Sequence, residues 1–90
     1  AVVLERQHGI ARIVYPQPAT IITLDPDIPA DLQRVSFVGR FAEDTHEWHL
    51  DEKAMGSSAS LPWKPERGRH VLSLVDRERN VVDSVTFVVK

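Results

Sequence analysis

Apolar and polar residues alternate along most of this chain with a period of two, the spacing of a strand that has one dry face. From Arg34, the run Arg-Val-Ser-Phe-Val-Gly-Arg-Phe-Ala puts Val35, Phe37, Gly39 and Phe41 on one side and Arg34, Ser36 and Arg40 on the other. Trp48 and Leu50 share a side in Glu47-Trp48-His49-Leu50, and Asp51-Glu52-Lys53 is a polar turn after it, with Gly56-Ser57-Ser58 a loop. Arg69 to Asp76 alternates again, with His70, Leu72 and Leu74 in phase. Arg77-Glu78-Arg79-Asn80 then makes a hairpin turn in which Asn80 is expected to take the left-handed conformation. In Val81 to Val89, Val85, Phe87 and Val89 face one way and Ser84 and Thr86 the other; Asp83 breaks the pattern, so a bulge is expected near it.

The N-terminal third is strand-like but less regular. Ala11 to Tyr15 is rich in β-branched and aromatic residues and is ended by Pro16 and Pro18, and Thr20 to Leu24 is a second short run. Asp25-Pro26-Asp27-Ile28-Pro29-Ala30-Asp31-Leu32 carries helix-start chemistry for a single turn, with Asp27 as its cap and Pro29 early in it. Residues 1–9 are expected to be a flexible lead-in. The spacing, about 8–12 residues per strand and turn, predicts an all-β, immunoglobulin-like antiparallel β-sandwich of six or seven strands, with Trp48 buried on a middle strand. Pro16, Pro18, Pro62 and Pro65 fall where edge strands need protection from further pairing.

Composition narrows what such a module does. At 90 residues it is the size of one domain, and 42% hydrophobic with 27% charged residues is ordinary for a soluble fold. Eleven basic and 13 acidic residues give a net charge of −2 with no basic stripe, so nucleic acid is not an expected partner. Without cysteine there is no disulfide, no thiolate metal site and no thiol nucleophile. The ends, Ala1 and Val88-Val89-Lys90, are expected to be cuts in a longer protein.

Catalytic and metal chemistry finds no frame. None of Ser36, Ser57, Ser58, Ser60, Ser73 and Ser84 lies in a nucleophile elbow or is followed three residues later by Lys. His46 and His49, three apart on an extended chain, point to opposite faces, and His8 and His70 are remote from them in sequence, so no metal site is expected. Asp25, Asp27 and Asp31 lack the spacing of a calcium loop and read as turn residues, and Glu5, Glu43, Glu47, Glu52, Glu66 and Glu78 read as solvated positions in termini or turns. No cofactor is expected. Trp63, in Leu61-Pro62-Trp63-Lys64-Pro65, has two readings: a ring that closes one end of the sandwich over Leu61, or an exposed ring that stacks on a sugar or anchors a partner. With Arg67 and Arg69 beside it, the second reading makes Trp63, Arg67 and Arg69 a candidate binding surface for an anionic glycan.

Tyr15-Pro16, Leu24-Asp25-Pro26-Asp27-Ile28-Pro29, Trp48-His49-Leu50-Asp51, Leu61-Pro62-Trp63, Gly68-Arg69-His70 and Val82-Asp83-Ser84-Val85 occur in an order that resembles the C-terminal domain family of penicillin-binding protein 1C. The likeness runs from about Arg12 to Val89, with Leu-Asp-Pro-Asp-Ile-Pro its most specific piece; Glu52 departs from it, standing where Gly is expected in the turn. The resemblance implies an immunoglobulin-like appendage of a bifunctional class A murein synthase, a glycosyltransferase and penicillin-binding transpeptidase anchored in the inner membrane and facing the periplasm. It implies no catalytic residue here. Three functions follow as expectations: an accessory domain that positions or regulates the synthase through another envelope protein or peptidoglycan, a ligand-free structural spacer on the transpeptidase domain of the same chain, and, far behind, an enzyme in its own right.

Overall fold

Eight strands carry the described residues, 11–41 and 45–90, of the computed structural model: β1 (Arg12–Tyr15), β2 (Ile21–Ile22), β3 (Val35–Arg40), β4 (His46–Leu50), β5 (Lys53–Gly56), β6 (Ser60–Trp63), β7 (Gly68–Asp76) and β8 (Val81–Val89). They form two sheets, in the orders β1-β3-β6 and β2-β8-β7-β4-β5. The chain is an all-β, immunoglobulin-like β-sandwich without a disulfide. The expected lead-in, residues 1–9, lies outside the described residues.

The alternating residues supply the core. Phe37, Trp48, Leu72, Leu74 and Phe87 are fully buried, with Ile13, Leu50, Trp63, Val85 and Val89 packed around them. Trp48, on the interior strand β4 between β7 and β5, meets Phe37 at 6.0 Å and Phe41 at 5.8 Å between ring centroids, and its indole N–H donates to the Ser58 carbonyl at 2.7 Å. Burying the ring therefore leaves no polar atom unpaired. Gly39 is required by this packing. A Cβ there would lie 2.7 Å from Phe41 Cε1 and 2.8 Å from Trp48 Cζ2, inside any tolerable contact.

The structure departs from the sequence expectations in places that have physical causes. Two of the strands, β5 and β6, lie where the sequence shows little alternation. Lys53-Ala54-Met55-Gly56 is strand because the tight turn folds it back onto β4, and β6 tolerates Pro62 because it is the edge of its sheet and pairs on one side only, with β3. The β4–β5 turn has both Asp51 (φ 50°) and Glu52 (φ 72°) in the left-handed region, as a two-residue type I′ hairpin demands; Glu52 takes the position a glycine would occupy more cheaply. In the β7–β8 turn the left-handed residue is Arg79 (φ 67°), not Asn80. Asp76 decides this: its Oδ1 accepts the N–H groups of Glu78 and Asn80, both at 2.9 Å, which places the reversal at Arg79. Those bonds, the Asn80 N–H foremost, hold the Asp76 carboxyl below its ordinary pKa.

One helical turn, a 3-10 turn at Ala30–Leu32, does form, but Pro29 precedes it and no side chain caps it. The side-chain acceptor in this segment is Asp25, whose Oδ1 accepts the Asp27 N–H at 2.9 Å. The sheet is also not wholly antiparallel. β2 pairs with β8 in parallel, Ile21 with Val88 and Ile22 with Val89, because the chain leaves β1 at the Pro16–Pro18 corner and crosses to the edge of the other sheet, where the Ala19 N–H donates to the Thr86 carbonyl at 2.9 Å. The bulge expected near Asp83 is present: Leu74 pairs with Asp83 but Val75 with Val81, leaving Val82 as the extra residue. Asp83 then reaches across the sandwich, and its Oδ2 accepts the Ile13 N–H of β1 at 2.8 Å.

Candidate functional site

Polar chemistry gathers at the end of the sandwich where β6 crosses to β7. The crossing arch, residues 64–67, leaves the edge strand β6 and enters β7 at Gly68. His70 lies two residues into β7, in phase with Leu72 and Leu74, so the strand carries it inward and leaves it 7% exposed. Its ring is enclosed by Trp63 at 5.1 Å and Phe87 at 5.5 Å between centroids. Nδ1–H donates to Asp51 Oδ2 at 2.7 Å, and Nε2–H donates to the Glu66 carbonyl at 2.8 Å. Asp51 spends its other oxygen on the Val71 N–H at 2.9 Å.

Neither a carboxylate nor a carbonyl can donate, so both ring nitrogens must carry hydrogen: the geometry is that of an imidazolium. Desolvation works against that charge, but the bonds to Asp51 and to the Glu66 carbonyl outweigh it, and the His70 pKa is raised from 6.5. For Asp51, likewise, burial alone would raise the carboxyl; the His70 and Val71 hydrogen bonds prevail and lower it from 3.8. The network is a charge-paired brace. It holds no nucleophile: the serines Ser73 and Ser84 face one another on the opposite side of the sheet, 3.3 Å apart.

The structure separates the three residues of the candidate binding surface. Trp63 is 6% exposed, its ring stacked on Phe37 at 5.2 Å and edge-on to Phe87 at 5.7 Å. The exposed-ring reading of Trp63 is therefore corrected. The face it shares with Leu61 and its pairing opposite Val35 turn it into the core, and the prolines on either side shape the edge rather than lift the ring out. Arg67 and Arg69 are exposed. Register places further cations beside them: Gly68 pairs with Val89, which sets Arg67 next to Lys90, and Val35 pairs with Trp63, which sets Arg34 next to Lys64. Among the described residues, Lys64, Arg67, Arg69 and Lys90 form no ion pair.

A second feature is the outward face of the larger sheet. Val71 (42% exposed), Val81 (61%) and Ile21 (59%) stand on it, with Val75 below, and an open groove of about 600 Å³ runs between His49, Asp51, Ser73 and these valines. Glu47, expected in a turn, is on β4 and accepts from His49 Nε2–H at 2.8 Å across this face. His46 and His49 do point to opposite sides: His46 packs on Phe41 at 5.6 Å, and among the described residues no three His, Asp or Glu converge on a metal position.

The brace was not found from sequence. The signal was available in the phase of His70, a titratable residue on an otherwise apolar strand face, but Asp51 lies 19 residues earlier and only the hairpin geometry brings the two together.

The family model described as Penicillin-Binding Protein C-terminus Family matches residues 3–87, nearly the whole chain. No curated protein shows a significant match. Among solved structures the chain is similar to the Clostridium thermocellum CbhA fibronectin(III)-like modules, with 17% identity, a TM-score of 0.64, and coverage of 89% of this chain and 95% of that one. At that identity the likeness speaks for the fold.

Proposed function

The chain belongs to the penicillin-binding protein C-terminus family, and from that premise we propose that it is a non-catalytic accessory domain of a bifunctional peptidoglycan synthase. The parent polymerises and cross-links cell wall from the inner membrane, and this module works on the periplasmic side. It positions or regulates the synthase through contacts with another envelope protein or with peptidoglycan. The family match over residues 3–87 carries the reading. The site geometry supports it: the polar network around His70 is a structural brace, and Arg67 and Arg69 lie on the surface with no ion-pair partner among the described residues. No helix among the described residues is long and apolar enough to cross a membrane.

The contact surface is Arg67 and Arg69 on the arch and β7, with Lys64 alongside. Trp63 serves it from below, as the core anchor of the arch. Guanidinium groups with no ion-pair partner among the described residues suit the carboxylates of peptide stems on the glycan. Titrating the 90-residue chain with soluble muropeptides, with backbone amides observed by NMR, is expected to shift residues 64–69. The Arg67→Glu/Arg69→Glu double variant keeps the fold and abolishes those shifts. Absence of shifts in the wild-type chain removes the glycan reading and leaves protein contact.

A second reading is favoured by the outward valines of the larger sheet. Val71, Val81 and Ile21 together expose apolar surface on a face that no other described element covers. The transpeptidase domain of the parent is the body that packs on it, and the module is then a structural spacer. In that case deleting the module lowers the parent's melting temperature and leaves lipid-substrate turnover intact.

A further inference from the structure

We propose that His70 is a proton-operated latch, which when charged ties the arch of residues 64–67 and the β4–β5 turn to the start of β7, and which on losing its proton releases the arch first. This regulation of the cationic end goes beyond the contact reading and stands without it, because it rests on bonds within the chain.

The order of release follows from the acceptors. A neutral imidazole carries one N–H, so one of its two acceptors must then face a nitrogen lone pair at under 3 Å. Asp51 is a carboxylate and Glu66 offers a neutral carbonyl, and a charged acceptor holds the shared proton more strongly. The remaining hydrogen stays on Nδ1, toward Asp51. Nε2 loses its hydrogen, and the Glu66 carbonyl loses the donor that His70 supplies from the core. That carbonyl belongs to the Glu66–Arg67 peptide, so the group set loose is the one that carries Arg67. The β4–β5 turn keeps its second attachment, the Val71 N–H to Asp51 Oδ1 at 2.9 Å.

The titratable groups that face the ring are Asp51 from the β4–β5 turn and Glu66 from the arch, both acidic. β6 and β8 present only aromatic rings, Trp63 and Phe87. The sign of the pH effect is fixed accordingly. His70 binds its proton more tightly in the folded chain, so its contribution is complete below the free imidazole value of 6.5 and is lost as pH rises through the folded titration. Asp51 is shifted the other way: its contribution is complete above 3.8 and is lost as pH falls through its own folded titration.

The test is an NMR pH titration of the 90-residue chain that follows the His70 ring nitrogens, the Arg67 and Val71 amides, and amide exchange in the arch. His70 is expected to titrate above a free histidine, its neutral form to be the Nδ1–H tautomer, and the Arg67 amide to shift with the same midpoint. Exchange in the arch is expected to rise by about tenfold across that titration while the Val71 amide stays protected. Asp51→Asn keeps an acceptor for Val71 and removes the charge, and should lower the His70 midpoint; His70→Gln should leave the arch amides indifferent to pH. An Nε2–H tautomer, a midpoint at or below that of free histidine, or an Arg67 amide that ignores the ring titration overturns the latch.

Discussion

Replacing Trp63 by alanine separates a core residue from a binding residue more sharply than any other single change. The ring is 6% exposed and lies against Phe37 at 5.2 Å, His70 at 5.1 Å and Phe87 at 5.7 Å. Burying an indole removes about 200 Å² from water, and at about 25 cal/mol per Å² that is about 5 kcal/mol. The figure is an upper one, because denatured chains already shield part of their apolar surface. Truncations of buried aromatic residues to alanine cost about 3–5 kcal/mol, in keeping with it. A 90-residue chain has in total only about 5–13 kcal/mol of stability, so Trp63→Ala is expected to remove from about a quarter to all of it. Urea unfolding followed by circular dichroism reads this directly. With a slope of about 1–2 kcal/mol per molar, the midpoint should fall by about 2 M or more. Trp63→Phe retains a ring in the stack and should lose about 1–2 kcal/mol. A midpoint shift below about 0.5 M for Trp63→Ala, the slope unchanged, would refute the core placement and restore the ring to the surface.

Gly39→Ala is expected to lose about 1–3 kcal/mol in the same urea assay, since the new methyl would stand 2.8 Å from Trp48 Cζ2 and the fully buried indole has little room to move. Asp83→Ala removes the acceptor for the Ile13 N–H, the bond that joins β8 to the edge strand β1; the expected cost is about 1–3 kcal/mol, and amide exchange at Ile13 should accelerate while β7 stays protected.

The sequence by itself determined the fold class, the inward face of each long strand and the family. Period-two alternation is a local property of the chain. Phe37, Trp48, Leu72, Leu74, Val85 and Phe87 could be assigned to the dry side without knowing what they would touch, and all six are buried. The polar turn at Asp51-Glu52 and the irregularity at Asp83 were legible for the same reason, each being a break in a local pattern, though Lys53, expected in the turn, already belongs to β5. β5 and β6 were not. Lys53-Ala54-Met55-Gly56 has no alternation of its own and becomes strand only because β4 offers it an edge, and β6 is defined by its pairing with β3. The Trp63 ring had two sequence readings of opposite consequence, and what chose between them was Phe37, 26 positions earlier on the partner strand. The His70 brace was equally out of reach, since it joins a hairpin turn, an arch and a strand start whose nearness exists only after the sheets close. Local periodicity sets which way a side chain points; long-range pairing sets what it meets, and for this protein the charge of His70 and the burial of Trp63 are properties of the meeting.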